Sequence, residues 1–540
     1  MADFQPTPAQ KAAIEARGGA VLVSAGAGSG KTKVLTERLM KYILDEANHV
    51  GIDSFVIITF TKAAAAELKG RITAELSRAA ASGENVSPSH REYLRRQQAL
   101  CMHAQIGTIH SFCASVLREN GHALALPSDF RILSDERAAA IRERTLEKLL
   151  NDRYARMQEH PGFEELVNSV GIGRNDQKLA ELILQLYDKM QCHAHPGKWA
   201  QARLDELRGE PGDVGDTLWG KEILTYASNV ASYWADELER MMSAARSDVS
   251  LSKIFLASLS ETAAGVRELE RRTHLGWEAV RGCPDISFPK IGTVRGYESE
   301  LKDKIKDRRE ACKKAMEKVR GLFYADSEAL KAEMRQTTPA MEALLQLTLD
   351  FEKQFIAEKR KVSGLDYSDL EHEAARLLIG EDNRPTEIAR NIAARYTEIM
   401  VDEYQDVSLV QDAIFRAVSR EGRNLFMVGD VKQAIYRFRL ADPEIFNKKY
   451  RDFKVHGTEK PGEESKIFLR ENFRSGREIL NAANAVFSRC MSSALGEVDY
   501  DENASLIFGA KGREEEQPLP EVDLFALPSD DDSETDKNAY

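Results

Sequence analysis

The stretch Ala25-Gly26-Ala27-Gly28-Ser29-Gly30-Lys31-Thr32 decides how this chain reads. The apolar run Ala20-Val21-Leu22-Val23 leads into it, and the helix-prone run Lys33-Val34-Leu35-Thr36-Glu37-Arg38-Leu39 follows. Strand, glycine-rich loop and helix start, in that order, are the setting of a phosphate-binding loop. Glycines let the backbone turn its N–H groups towards an anion with no Cβ in the way. The positive end of the following helix favours the same anion. In such a loop Lys31 reaches the β- and γ-phosphates of ATP, and Thr32 holds Mg2+ through its hydroxyl. The strict pattern G-x-x-x-x-G-K-[ST] asks for glycine where this chain has Ala25; Gly28 partly compensates with a G-x-G-K core. The plain alternative is a glycine-rich turn that binds nothing.

A length of 540 residues suits roughly three or four domains, and 42% hydrophobic residues is ample for their cores. The net charge of −12 gives no overall basic signature, but ten acids and two bases between Arg513 and Tyr540 account for most of it. A basic groove on a nearly neutral body remains open. The six cysteines (Cys101, Cys113, Cys192, Cys283, Cys312 and Cys490) form no C-x-x-C pair. They give no local support for zinc or an iron–sulfur cluster, and their scatter fits a reducing compartment. No basic leader and no run of about twenty apolar residues is present. The expectation is a soluble cytoplasmic protein with no membrane association.

In chain order, Thr7 and Pro8 open a helix before the first strand. Gln10 on it carries an amide able to pair with a base edge such as adenine; a solvated surface glutamine is the commoner reading. Phe55-Val56-Ile57-Ile58-Thr59-Phe60-Thr61 is β-rich and runs into the strong helix former Lys62-Ala63-Ala64-Ala65-Ala66-Glu67-Leu68. Phe60 at that strand end is placed to stack on an unpaired base, or equally to be a core phenylalanine. Ile106-Gly107-Thr108-Ile109-His110-Ser111 is a third strand-to-helix turn, with small polar groups suited to a phosphodiester backbone. From Asp135 to Lys361 charged helix-prone segments dominate. Leu344, Leu347, Phe351 and Phe355 recur at helical spacing there, so a mostly helical insertion is expected.

Tyr396-Thr397-Glu398-Ile399-Met400-Val401 returns to strand and ends in Asp402-Glu403-Tyr404-Gln405-Asp406. Beside a phosphate-binding loop, Asp402 suits hydrated Mg2+ and Glu403 suits a water-activating base; an acidic strand–loop junction is the plain reading. Asn424 to Asp430 forms another buried-type strand, and Gln433 follows it where an amide senses a γ-phosphate. Tyr436, Arg437, Phe438 and Arg439 interleave aromatic and cationic groups, the composition of a single-strand stacking platform. Ile467-Phe468-Leu469 begins a further strand, with Phe473 and Arg474 behind it as candidates for adenine stacking and γ-phosphate contact. Val522 to Leu527 reads as one more strand, and Ser529 to Tyr540 as an acidic tail without a packed core.

Taken together these motifs resemble superfamily 1A DNA helicases of the UvrD/Rep/PcrA type. The carrying residues are Ala25 to Thr32, Thr59 to Glu67, Val401 to Asp406 and Gly429 to Glu444. The last run is most similar to the AddA (RexA) group, helicase–nuclease subunits of bacterial AddAB break-repair complexes. That family accepts alanine at the position of Ala25. The resemblance implies an α/β fold: a RecA-like parallel sheet from residues 1–135 and 362–465, a helical accessory insertion over 136–361, and the start of a second RecA-like fold over 466–528. It implies that Gln10 reads adenine, and that Lys31, Thr32, Asp402, Glu403 and Gln433 serve ATP, Mg2+ and water. Phe473 and Arg474 would close the cleft from the second fold. Phe60, Thr61, Thr108, His110, Tyr436, Phe438 and Arg439 would lie along single-stranded DNA. It further implies 3′–5′ movement, action on single-stranded and duplex-end DNA, and an AddB-type partner. The family's later T-x-H-x-[SA]-K-G and V-A-x-T-R-A motifs, its nuclease and its cysteine-bound iron–sulfur cluster are not found, so the chain reads as the front half of a motor. The missing arginine motif leaves a second reading, a nucleotide-dependent DNA-binding or assembly module with no motor activity of its own.

Overall fold

The computed structural model describes residues 5–81, 87–160, 162–170, 177–209, 211–435, 440–493 and 498–510. Tyr436, Phe438 and Arg439, the strand expected at 522–527 and the acidic tail lie outside the described residues. Seven strands form one sheet: β1 (Val21–Ala25), β2 (Phe55–Ile58), β3 (Gln105–Gly107), β4 (Glu398–Val401), β5 (Leu425–Gly429), β6 (Lys454–Val455) and β7 (Ser465–Leu469). Their order is β3-β2-β4-β5-β1-β7-β6, and every neighbouring pair is parallel. Parallel strands are buried on both faces, which is why β2 and β5, and β4 after Glu398, read as apolar runs.

Side chains of a strand alternate between faces, and the two cores sort accordingly. Leu22, Val56, Ile58, Ile399, Val401 and Met427 join one apolar cluster. Val21, Val23, Phe55, Ile57, Met400, Phe426 and Val428 join the other. A buried ion pair ties the helix Lys31–Ile43 to the first residue of β4. Arg38 Nε and Nη2 donate to the two carboxylate oxygens of Glu398 at 2.7 and 2.5 Å, and Arg38 Nη1 donates to the Ala13 carbonyl at 2.8 Å.

β7 corrects the expected boundary at residue 465. It hydrogen-bonds in parallel to β1 over Val21 to Ala25, so the first sheet continues to Leu469. The contacts of the described residues divide the chain into two units. The sheet unit comprises Met1–Thr145, Tyr187–Gly197 and Glu352–Tyr540; the other comprises Leu146–Leu186 and Lys198–Phe351. The expected 136–361 insertion is thus interrupted. The segment Tyr187–Gly197 returns to the sheet unit because its polar groups pair there: Val410 N–H donates to the Cys192 carbonyl at 3.1 Å, and Gln191 Nε2 to Glu352 Oε1 at 2.7 Å.

The second unit is helical, with no β-strand among its described residues. Its two longest wholly internal helices, Leu218–Arg246 and Val249–Thr273, bury Trp234, Leu238, Phe255 and Leu259 in a cluster that also holds Trp277 and Phe323. Among the described residues, no helix is long and apolar enough to cross a membrane.

Candidate functional site at the carboxyl edge of the sheet

Because all seven strands run one way, their carboxyl ends share one edge, where open α/β sheets take their ligands. The loop after β1 sits there with Gly28 at φ +70° and Gly30 at φ +84°, left-handed conformations that glycine adopts without strain. Its carbonyls are engaged on the protein side. Asn472 Nδ2 donates to the Ala27 carbonyl at 2.6 Å, Phe473 N–H to Gly28 at 2.9 Å, and Gln10 Nε2 to Ser29 at 3.0 Å. A Cβ at Gly28 would come within 2.9 Å of the Arg474 Cβ. The Gly26 and Ser29 N–H groups donate to the Leu469 and Gly26 carbonyls at 3.1 and 3.2 Å, while Gly30 caps the next helix with no side-chain hydrogen bond, which leaves the N–H groups at that helix start to meet an anion. The Ser29 hydroxyl is buried without a partner. Helix start, bare cap and glycine cradle together fit a phosphate group.

Lys31 Nζ lies 2.7 Å from Glu403 Oε2, so the loop after β1 meets the acids after β4. Glu403 is held at φ +52°, a left-handed conformation unusual for a non-glycine residue. Its N–H donates to Asp402 Oδ1 at 3.0 Å. Burial, with the Glu403 charge adding, pushes the Asp402 carboxyl up to about 6 against the pull of Lys31. The same causes push Asp406 up to about 6, and its Oδ1 is buried without a hydrogen bond. Three acids in five positions facing one lysine leave surplus negative charge that a hard divalent cation would offset. Among the described residues no three His, Cys, Asp or Glu side chains gather as a metal cage.

Gln433 Nε2 donates to Asp430 Oδ2 at 2.7 Å at the end of β5. Gln10 is only 3% exposed and also caps its own helix: its Oε1 accepts from Thr7 N–H at 3.0 Å. The candidate residues of the next strand ends line a cavity of about 980 Å³ that Asp402, Glu403 and Asp406 line too. Phe60, Thr108 and His110 face it, as do Tyr367 and Glu371 of the helix Tyr367–Leu378. His110 Nε2 is 2.9 Å from Glu371 Oε1 and its ring lies 4.6 Å from that of Tyr367. Thr61 and Thr108 have local duties as well, accepting from the N–H groups of Ala64 at 3.0 Å and Ser111 at 3.4 Å.

The edge therefore gathers Lys31, Asp402 and Glu403 directly, Gln433 through Asp430, Gln10, Phe473 and Arg474 around the loop, and Phe60, Thr108 and His110 along the cavity. Sequence reasoning gave no role to Gln405, Asp406, Asp430, Tyr367, Glu371 or Asn472. For Gln405 and Asp406 the local signal was the density of acids and amide in Asp402 to Asp406, and Asp430 lay within the motif run Gly429 to Glu444.

Residues 6–454 match the family described as the UvrD/REP helicase N-terminal domain. The chain is 36% identical over 566 residues to the ATP-dependent helicase/nuclease A-subunit of Geobacillus thermodenitrificans (strain NG80-2), an alignment covering 99% of this chain and 44% of that protein. It is 32% identical over 525 residues to the protein of the same name from Ruminiclostridium cellulolyticum, covering 94% and 41%. It is 36% identical over 522 residues to that of Carboxydothermus hydrogenoformans, covering 96% and 42%. The chain thus spans less than half the length of the curated relatives it matches.

Proposed function

The chain belongs to the UvrD/REP helicase family, and from that premise we propose that it is the ATP-hydrolysing part of a 3′–5′ DNA helicase or translocase, working in an AddAB-type helicase–nuclease during double-strand break repair and recombination. The observation that carries the reading is the meeting of Lys31 with Glu403 at 2.7 Å, with Asp402 beside them, at the mouth of a phosphate-binding loop.

The loop N–H groups and Lys31 bind the phosphates of ATP. Thr32 and Asp402 hold Mg2+, which when bound supplies charge neutralisation on the transferred phosphate. Glu403 orients and deprotonates the attacking water. Gln433 senses the γ-phosphate from the end of β5. Gln10 braces the loop and reads adenine with the donor and acceptor capacity that its two loop and cap bonds leave. Phe473 and Arg474 flank the phosphates from the far side of the loop. Single-stranded DNA runs along the cavity past Phe60, Thr108 and His110, with Thr61 beside Phe60 in the chain; Tyr436, Phe438 and Arg439 are further DNA contacts on the family resemblance alone. The nearness of the DNA to Asp402 and Glu403 is what couples strand movement to hydrolysis. An AddB-type partner, duplex-end DNA and a cytoplasmic workplace complete the proposal.

The test is ATP hydrolysis by the 540-residue chain with and without single-stranded DNA. DNA-stimulated turnover is expected. A chain that neither binds ATP nor responds to DNA overturns the reading.

A further inference from the structure

One buried side chain at the site has no role in the reading above. Gln405 is 1% exposed and sits behind Glu403. Its Nε2 donates to Glu403 Oε2 at 2.9 Å and to Asp406 Oδ2 at 3.2 Å, while its Oε1 accepts from the Asp430 N–H at 2.9 Å. The surroundings fix the amide's direction: two carboxylates require the NH2 end and a backbone N–H requires the oxygen. Asp430 in turn receives Gln433 Nε2 at 2.7 Å and Lys432 Nζ at 2.8 Å. A continuous chain of hydrogen bonds therefore runs from Lys31 through Glu403 and Gln405 to Asp430 and Gln433.

A second observation concerns the space around the amide. A Cβ on Gly429, the last residue of β5, would lie 2.6 Å from Gln405 Oε1 and 2.9 Å from Phe446 Cε2. The glycine is what lets the amide lie against the strand end.

We propose that Gln405 is a positioning residue that holds the Glu403 carboxylate for water activation and links it, through Asp430, to Gln433. The inference rests on the ATPase reading of the site. Glu403 Oε2 has two partners, Lys31 and Gln405. When Lys31 serves a phosphate, Gln405 remains to aim the carboxylate, whose backbone already sits in a left-handed conformation. A neutral donor suits this task because it orients the carboxylate without neutralising the base. The same amide reports the position of the β5 end, so a shift of Gln433 is felt at Glu403.

The experiment is steady-state ATPase of the full chain with oligo(dT), alongside affinity for a fluorescent ATP analogue and thermal melting. Gln405→Leu is expected to lower kcat by on the order of 10²-fold, the usual cost of a misplaced catalytic group, with KM and analogue affinity within about threefold. Gln405→Glu has the same volume and still accepts from Asp430, but once ionised, as assayed at alkaline pH, it loses the donor, so it is expected to lose kcat likewise. That variant decides the matter if the leucine variant fails to fold. Combining Gln405→Leu with Gln433→Ala is expected to cost no more than the worse single change, because the two act as one chain. Parent-like kcat in Gln405→Glu, or a double variant whose losses multiply, overturns the positioning role while leaving the ATPase reading intact. A parent chain with no turnover overturns both.

Discussion

Lys31 Nζ and Glu403 Oε2 lie 2.7 Å apart although 372 residues separate them in the chain. The pair forms because β1 and β4 flank β5 in one parallel sheet, so that the loop after one strand faces the acids after the other. The two side chains are 13% and 33% exposed. A pair of that exposure contributes about 0–1 kcal/mol, too little to explain holding Glu403 at φ +52°. The arrangement is better understood as preparation for phosphate chemistry than as a device for stability.

Replacing Lys31 by alanine separates those two roles. ATP hydrolysis is expected to fall by on the order of 10²-fold or more, the scale of losing one charge-stabilising donor, and the melting temperature to stay near that of the parent. Turnover and melting curves of the same preparation check this. A variant that hydrolyses ATP like the parent contradicts the nucleotide site itself.

Arg38 gives the opposite pattern. Its guanidinium is 1% exposed, bridges both oxygens of Glu398 and lies 4.2 Å from the Phe426 ring centre. Arg38→Ala leaves Glu398 buried without its cation, a loss of about 3–5 kcal/mol. Urea unfolding of the variant reads it. A loss below about 1 kcal/mol would mean that the Tyr42 hydroxyl, which donates to Glu398 at 3.3 Å, suffices alone.

The acids at the site hold a cost that pH exposes. Asp402 is pushed up from 3.8 to about 6 in the folded chain. Its carboxyl therefore keeps a proton between those values while the unfolded chain has lost it. Stability contributed by this group falls as pH rises from about 4 to about 6, and the cost is complete at pH 7. Asp402→Asn mimics the protonated form at every pH. In metal-free buffer it is expected to be more stable than the parent at pH 7, by on the order of 1–3 kcal/mol. The gain should shrink towards zero near pH 4. ATP hydrolysis should be lost throughout. Denaturant midpoints across that range test the sign, and a gain that grows on acidification contradicts it.

Much of the site was legible because its chemistry is written in short local runs. Strand, glycine loop and Lys31-Thr32 are contiguous, as are the strand and acids from Glu398 to Asp406. What stayed hidden depends on residues far apart meeting. Gln405 shows its role only beside Asp430, and Asn472 only against Ala27. Lys359 is fully buried and lies 2.6 Å from Asp366 and 2.8 Å from Asp369, in a segment that reads as a charged surface helix. β7 read as the start of a second fold because nothing within it names its partner; pairing with β1 is a fact of the assembled sheet. The segment Tyr187–Gly197 is similar, since its place in the sheet unit rests on bonds to Glu352 and Val410.

The cavity beside the acids offers a contrast that tests its proposed ligand. Phe60 and Lys62 both line it, one with a planar face and the other with an exposed charge. If single-stranded DNA occupies it, Phe60→Ala removes a stacking surface worth about 1–3 kcal/mol, roughly a 5- to 150-fold loss of affinity. It leaves the dependence of log Kd on log salt unchanged, because no phosphate contact is removed. Lys62→Ala should weaken binding less at high salt than at low salt and lower that slope by roughly 0.7, one single-strand phosphate contact. Fluorescence anisotropy with oligo(dT) at several salt concentrations measures both. Equal slopes in the two variants would remove Lys62 from the phosphate path. Unchanged affinity in Phe60→Ala would favour the other of the two readings that its place after β2 leaves equal, a packing phenylalanine.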